Sequence, residues 1–238
     1  MKSFLKQVYF YLRYPNQFYS YMYSLVQGNK ARKLTIQRIP PNFILFDRFT
    51  EDSVFIDVGC GYMAELSQYL IQKYKLTAYA VDPTEKHASA IRELVKKYSP
   101  HLIHIPYAIT STNEEIVFFE TLDHESGSLY EDHCHIARDR IRKYKVQGRN
   151  LSTLLQELGL SKVDLLKLDL EGAEYELIAN LTAGDIRSVD QLFIEFHHHA
   201  FKRIHRKDTR KAVSTIKSLG FKAFTLDSHN YLFYRDKI

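Results

Sequence analysis

One feature constrains this chain more than any other. From residue 53 onward, short apolar runs alternate with stretches of helical periodicity. SVFIDV (53–58), TAYAV (77–81), residues 102–109, EIVFFE (115–120), VDLLKL (163–168) and QLFIEF (191–196) read as strands. Residues 65–75, 85–98, 151–158, 174–181 and 209–219 read as helices. Strands separated by helices predict a parallel sheet covered on both faces. Pro106 interrupts the third run, and residues 122–135 are polar, contain Gly127 and read as a loop. Residues 221–226 and 231–234 bracket Asp227 to Asn230 as a hairpin, which brings one antiparallel strand into the sheet. The predicted fold is α/β, a doubly wound sheet, mostly parallel, with an antiparallel C-terminal hairpin strand.

The first 50 residues are different. Nine aromatic residues crowd between Phe4 and Tyr23. Pro15 splits the segment into two short helices, Gly28 ends the second, and Pro40-Pro41 mark a boundary. The expected organisation is an aromatic-rich helical segment, 1–50, serving as cap or interaction surface, and a main α/β domain, 51–238. Such a segment packs over a core or a partner; peripheral contact with a membrane surface is the alternative. No apolar run is long enough to span a bilayer, and residues 1–28 lack the apolar centre of a secretory signal. Two cysteines, Cys60 and Cys134, suit a reducing, cytoplasmic setting. The formal charge of +5 suits an anionic ligand without calling for nucleic acid. The basic run from Lys202 to Lys211 reads as a solvated helix start, with recognition of an anionic group as its functional alternative.

Asp57-Val-Gly59-Cys-Gly61 lies where the first strand of this pattern gives way to a helix. Glycine lets the backbone turn sharply there and approach a ligand, and the helix N-terminus offers free amides. Asp82 ends the next strand, 21 residues after Gly61, the place where a carboxylate grips a ribose diol. Together these residues indicate an adenine nucleoside. Gly59-x-Gly61-x-x-Ala64 also satisfies the dinucleotide spelling. Asp57 argues against a dinucleotide, because its charge repels a pyrophosphate and attracts a sulfonium or ammonium.

A second acidic group follows the strand at 163–168. Lys167, Asp169 and Glu171 share one face, while Leu166, Leu168 and Leu170 take the other. Asp169 is expected at the carboxyl edge beside the glycine turn. Glu171 is expected to begin the next helix, where an acidic residue suits the helix dipole. The strand at 191–196 ends in Glu195 followed by His197, also on one face. Either could take a proton from a hydroxyl. Alternatively, Asp169 with Glu195 could hold a divalent cation, although the oxygen ligands visible in the sequence are incomplete. His133-Cys134-His135 has no second pair at zinc spacing and reads as a loop.

VDLLKLDLEGAE (163–174) closely resembles the signature of the FkbM-type methyltransferase family. FIDVG (55–59) resembles that family's cofactor motif, and LFIE (192–195) followed by His197 resembles its fifth-strand end. The resemblance covers roughly residues 50–235. It implies a class I methyltransferase, Rossmann-like, with seven strands and a reversed last strand. It implies S-adenosylmethionine as cofactor, with Asp57, Gly59 and Gly61 at its methionine end, Asp82 at the ribose, Ala108 near the adenine and Asp169 beside the transferred methyl. Tyr62-Met63-Ala64 stands where the family commonly has a further glycine.

The expectation is an O-methyltransferase acting on a hydroxyl of a sugar, glycan or other small molecule, with Asp169, Glu195 and His197 as catalytic candidates. Two alternatives are an NAD-dependent oxidoreductase and a non-catalytic module binding anions or membrane surfaces. The sequence does not define a metal.

Overall fold

The computed structural model describes residues 34–235, together with Val26, Gln27 and Lys30. The two helices expected around Pro15 lie outside the described residues. Residues 36–46, expected within a helical segment, instead form a hairpin of β1 (Ile36–Ile39) and β2 (Phe43–Phe46), turning at Pro40-Pro41. Ile36, Ile39, Ile44, Leu45 and Phe46 are buried. The hairpin does not stand apart from the domain. Buried Gln191, in the central sheet, accepts from the Phe46 N–H at 2.7 Å and donates to its carbonyl at 3.1 Å. The boundary expected at residue 50 therefore falls inside one packed unit, because the apolar face of β2 has the sheet as its partner.

Three strands follow, β3 (Val54–Val58), β4 (Thr77–Val81) and β5 (Leu102–Ile105). Next come β6 (Ala108–Ile109), β7 (Glu115–Thr121), β8 (Gly127–Ser128) and β9 (Ile141–Arg149). The chain closes with β10 (Val163–Asp169), β11 (Val189–Glu195), β12 (Lys222–Thr225) and β13 (Asn230–Tyr234). The helices are α1 (Glu65–Tyr74), α2 (Ala88–Tyr98), α3 (Leu151–Glu157), α4 (Glu174–Asn180) and α5 (Arg206–Ser218). Seven strands form the central sheet in the order β12-β13-β11-β10-β3-β4-β5. Only β13 runs against its neighbours.

Period-2 alternation divides the core between two faces. Ile56, Leu166 and Ile194 pack on one side; Phe55, Leu165 and Phe193 pack on the other with the hairpin and α1. On this second face the apolar residues give way to Asp57, Lys167, Asp169 and Glu195 toward the carboxyl ends of the strands. Strand register sets Lys167 beside Asp57 and Asp169 beside Glu195. That polar end of an otherwise apolar face is where the site lies.

The apolar run broken by Pro106 divides between two sheets. Leu102–Ile105 completes the edge of the central sheet, and Ala108–Ile109 joins a second sheet of order β6-β9-β7-β8. The sequence reading leaves residues 136–149 without an element, yet Ile141–Arg149 forms a strand whose residues 141–147 pair with all of β7 and whose last two pair with β6. Its partly buried Ile141 and Tyr144 and buried Val146 alternate irregularly with Lys and Arg, which masks the pattern. Asn150 caps α3 as expected, accepting from the Thr153 N–H at 2.8 Å. No described helix is long and apolar enough to cross a membrane.

Candidate active site

The glycine turn is built as the sequence requires. Gly59 has φ +69°, and a Cβ there would lie 1.9 Å from the Asp169 carbonyl oxygen. Only glycine lets the ends of β3 and β10 approach so closely. Gly61, at φ +64°, has open space where its Cβ would be. Ala64 also lies in the left-handed region, at φ 42°, immediately before α1. The missing family glycine is thus replaced by a residue that adopts a glycine-like conformation.

Asp82 lines the cleft, but its carboxylate is committed within the protein. Oδ2 accepts from the Gly61 N–H at 2.9 Å, Oδ1 accepts from the Thr84 N–H at 2.8 Å, and His87 Nδ1 lies 3.4 Å away. Burial opposes ionisation of Asp82, and the bonds from His87 and Thr84 more than offset it, lowering its pKa. Its demonstrable action is to tie the glycine turn to the end of β4. Asp57 is likewise compensated. It is 1% exposed, accepts from the Ser67 hydroxyl at 2.7 Å and lies 3.2 Å from Lys167 Nζ. The expected discrimination against pyrophosphate therefore does not come from a free Asp57 charge.

Lys167 is buried and ties these groups together, donating to the Gly59 carbonyl at 2.8 Å and lying 3.3 Å from Asp169 Oδ2. Burial disfavours its charge, but Asp57 and Asp169 overcome this and raise its pKa. Asp169 is held above the ordinary carboxylate range by burial, only partly offset by Lys167 and His197. Glu195, partly buried on the neighbouring strand, is pushed up to about 7 by burial and by the adjacent Asp169 charge.

Glu171 departs from expectation. It does not begin α4; it adopts φ 47° three residues earlier and turns toward the site. His133 Nε2 lies 2.9 Å from its Oε2. Despite burial, that bond and the charge of His197 lower the pKa of Glu171. Glu174, fully buried, occupies the helix start instead. Its oxygens accept from the Gly172 N–H at 2.9 Å and the His197 N–H at 2.8 Å, and contact His197 Nδ1 at 3.2 Å. His197 Nε2 faces Asp169 Oδ1 and Glu171 Oε2, each at 3.5 Å. Burial works against the imidazolium, but the Glu174 bond and the surrounding carboxylates push its pKa up to about 10. A group that retains its proton at neutral pH is a poor base, so of the two expected candidates Glu195 is the suitable one.

The sequence reading missed Glu174, which looked like an ordinary helix residue, and His133, which looked like part of a loop. The loop does run irregularly from β8 to β9, but it folds over the site. The Cys134 N–H donates to the Ala200 carbonyl at 2.9 Å, and the His133 ring packs edge-on against Phe201. The basic run is largely solvated; Arg203 pairs with Asp132, and Asp208 caps the start of α5 through the His205 N–H.

The cleft has two lobes that share Gly59, Gly61, Glu125 and Asp169. One is lined by Tyr107, Ala108, Ile109, Phe118 and Leu129, and the other by Asp57, Tyr62, Met63, Glu65 and Lys167. Ala108 lies in the apolar lobe.

A seven-stranded sheet in this order, with one reversed strand and a glycine turn after β3, defines the class I methyltransferase fold. Within that class the chain belongs to the family described as Methyltransferase FkbM domain, which matches residues 56–223. It is 24% identical to the 2-O-methyltransferase NoeI of Sinorhizobium fredii over 139 residues, 54% of this chain and 57% of that protein. It is 42% identical to the probable methyltransferase-like protein 24 of Homo sapiens over 52 residues, 21% of this chain and 14% of that protein. This chain therefore matches less than two thirds of the length of either relative. Among solved structures, the fibrillarin pre-rRNA processing protein of Methanococcus jannaschii aligns with TM-score 0.48 and 10% identity, covering 84% of this chain and 70% of that one. TrmK of M. capricolum, in complex with S-adenosylhomocysteine, aligns with TM-score 0.41 and 15% identity, covering 79% and 64%. The family assignment displaces the oxidoreductase alternative.

Proposed function

We propose that this protein transfers a methyl group from S-adenosylmethionine to a hydroxyl oxygen of a sugar, glycan or other small-molecule acceptor. The observation that carries this reading is the pairing of Asp169 and Glu195 on adjacent strands at the carboxyl edge of the sheet, beside the junction of the two lobes. The residues fit the cofactor: the apolar lobe around Ala108 and Phe118 suits an adenine, and the charged lobe around Asp57 and Lys167 suits the amino-acid end. When bound, the cofactor supplies an electrophilic methyl; transfer forms one C–O bond, breaks one C–S bond and leaves S-adenosylhomocysteine.

The chain's residues supply the rest. Gly59 and Gly61 leave room for close approach, and Asp82 holds their turn in place. Asp169 presents a carboxylate where positive charge is carried, with Lys167 fixing its orientation. Glu195 accepts the acceptor's hydroxyl proton, a role suited to a carboxyl group that titrates near neutrality. Most of the rate advantage comes from holding two partners in line. The relative named a 2-O-methyltransferase supports an oxygen acceptor. The two free thiols suit a cytoplasmic setting.

Calorimetric titration with S-adenosylhomocysteine and NAD, followed by transfer of labelled methyl to a panel of sugars, tests this reading. Binding of the first ligand alone, with label in an acid-stable ether, is expected. Turnover should rise with pH through about 7, as Glu195 loses its proton. Glu195→Gln should remove that limb, and Asp169→Ala should abolish turnover while leaving the fold. An absence of S-adenosylhomocysteine binding would overturn the proposal.

A further inference from the structure

Asp169, Glu171 and His197 bring three donor atoms within 4.8 Å of one another. His197 is 5% exposed, and its Nε2 makes no hydrogen bond with either carboxylate facing it. Both contacts are 3.5 Å, well beyond the roughly 2.7–2.9 Å of a charge-assisted hydrogen bond. Two donors about 2.1 Å from one ion stand about 3.0 Å apart at an octahedral angle and about 3.4 Å apart at a tetrahedral one. The observed spacing thus leaves a gap suited to an ion.

Buried groups hold each donor from behind. Glu174 occupies His197 Nδ1 at 3.2 Å, which leaves Nε2 as the ring atom facing the gap. Lys167 takes Asp169 Oδ2 at 3.3 Å, which leaves Oδ1. His133 holds Glu171 through Oε2 at 2.9 Å, with the second lone pair of that oxygen still available. Carboxylate support behind a ligating histidine orients the ring and strengthens it as a donor. The sequence reading paired Asp169 with Glu195 and found the donor set incomplete. The turn at Glu171 and the inward placement of His197 complete it.

We propose that Asp169, Glu171 and His197 bind one divalent cation, with Mn²⁺ as its probe, and that binding displaces the Nε2 proton of His197. In the methyl-transfer reading, on which only this consequence rests, the ion polarises the acceptor hydroxyl beside Glu195 and so selects acceptors that can ligate a cation, such as vicinal diols.

The test uses the whole chain after chelator treatment, titrated with Mn²⁺ and followed by loss of the free-ion electron paramagnetic resonance signal. One ion per chain is expected. Glu171→Gln and His197→Gln should each weaken binding at least tenfold, and Asp169→Asn, nearly isosteric, should do the same. His133→Asn, which acts only through Glu171, should weaken it about tenfold. Glu93→Gln, on an exposed helix face, should leave it unchanged. Thermal unfolding identifies any variant that fails to fold. Substoichiometric binding to the wild type, or binding unaffected by the ligand variants, overturns the proposal. S-adenosylhomocysteine titration of the same samples separates the two ideas: binding of that ligand without Mn²⁺ binding defeats the ion site alone, whereas stoichiometric Mn²⁺ without methyl transfer defeats the methyl-transfer reading alone.

Discussion

Glu174 should prove among the most costly residues to replace, although it acts through its neighbours and not on a reacting atom. It is fully buried and accepts from two backbone N–H groups, Gly172 at 2.9 Å and His197 at 2.8 Å, while contacting His197 Nδ1 at 3.2 Å. Glu174→Ala strips both buried donors, at roughly 1–3 kcal/mol each. It also leaves the His197 charge without its nearest partner, a loss of roughly 3–5 kcal/mol where one member of a buried pair is removed. Water entering the hole makes these terms less than additive, so the expected loss is about 4–6 kcal/mol, against a typical total of roughly 5–15 kcal/mol. Glu174→Gln keeps one acceptor oxygen for His197 but turns an amide N–H₂ toward the Gly172 N–H. It should cost about 1–3 kcal/mol. Urea unfolding followed by circular dichroism, with an unchanged m-value, measures both. An alanine variant within about 1 kcal/mol of wild type would refute the role given to these hydrogen bonds.

Three further outcomes follow from the turn and from the histidines. Ala64→Gly relieves a left-handed alanine and should stabilise the fold by about 1 kcal/mol, read in the same unfolding assay, with S-adenosylhomocysteine binding retained. Gly59→Ala forces a Cβ onto the Asp169 carbonyl and should abolish both ligand binding and normal stability; Gly61→Ala meets no protein atom within 4 Å and should weaken ligand binding with only about 1 kcal/mol of strain. His198 is buried against His229, with ring centroids 4.5 Å apart, and burial with that neighbour lowers its pKa to about 4. The unfolded chain then takes up this proton below about 6.5 and the folded chain only near 4, so stability should fall across that window as pH drops. His198→Asn should flatten the fall in melting temperature between pH 7 and 4, and an unchanged slope would count against this account.

The sheet was legible because its signal is local. Each central strand is an apolar run whose type can be read from five to seven adjacent residues, and the glycine turn with the acidic strand ends followed from the same runs. The hairpin at residues 36–46 was obscured by Pro40-Pro41, which looked like a boundary but form the turn between two strands. β9 was obscured because its exposed face is rich in Lys and Arg, which dilute the alternation. The site was legible up to the residues that project from strands, namely Asp57, Lys167, Asp169 and Glu195. It ceased to be legible at turns. Strand alternation places His197 with Glu195 but does not predict that Glu171 takes a positive φ or that Glu174 holds His197 from behind, and no spacing rule links His133 to Glu171.

That difference separates two levels of construction. The two lobes, the glycine turn and the Asp82 tie belong to the central sheet and follow from its strand order. The groups that surround the acceptor side belong to connections. Glu171 and Glu174 lie between β10 and the body of α4, His197 follows β11, and His133 is carried by the loop between β8 and β9. These connections are fastened to one another by hydrogen bonds: Ser128 to the Glu171 carbonyl at 2.8 Å, Cys134 to the Ala200 carbonyl at 2.9 Å, and Glu174 to the His197 amide at 2.8 Å. A change in the loop from residue 128 to 137 should therefore alter Glu171 and the acceptor side while leaving the turn at Gly59 intact. His133→Asn is the sharpest version of this change. It should lower turnover at saturating donor while leaving the dissociation constant for S-adenosylhomocysteine within about twofold of wild type, a shift of less than about 0.5 kcal/mol. Equal loss of both would mean that the second sheet supports the whole cleft and not the acceptor side alone.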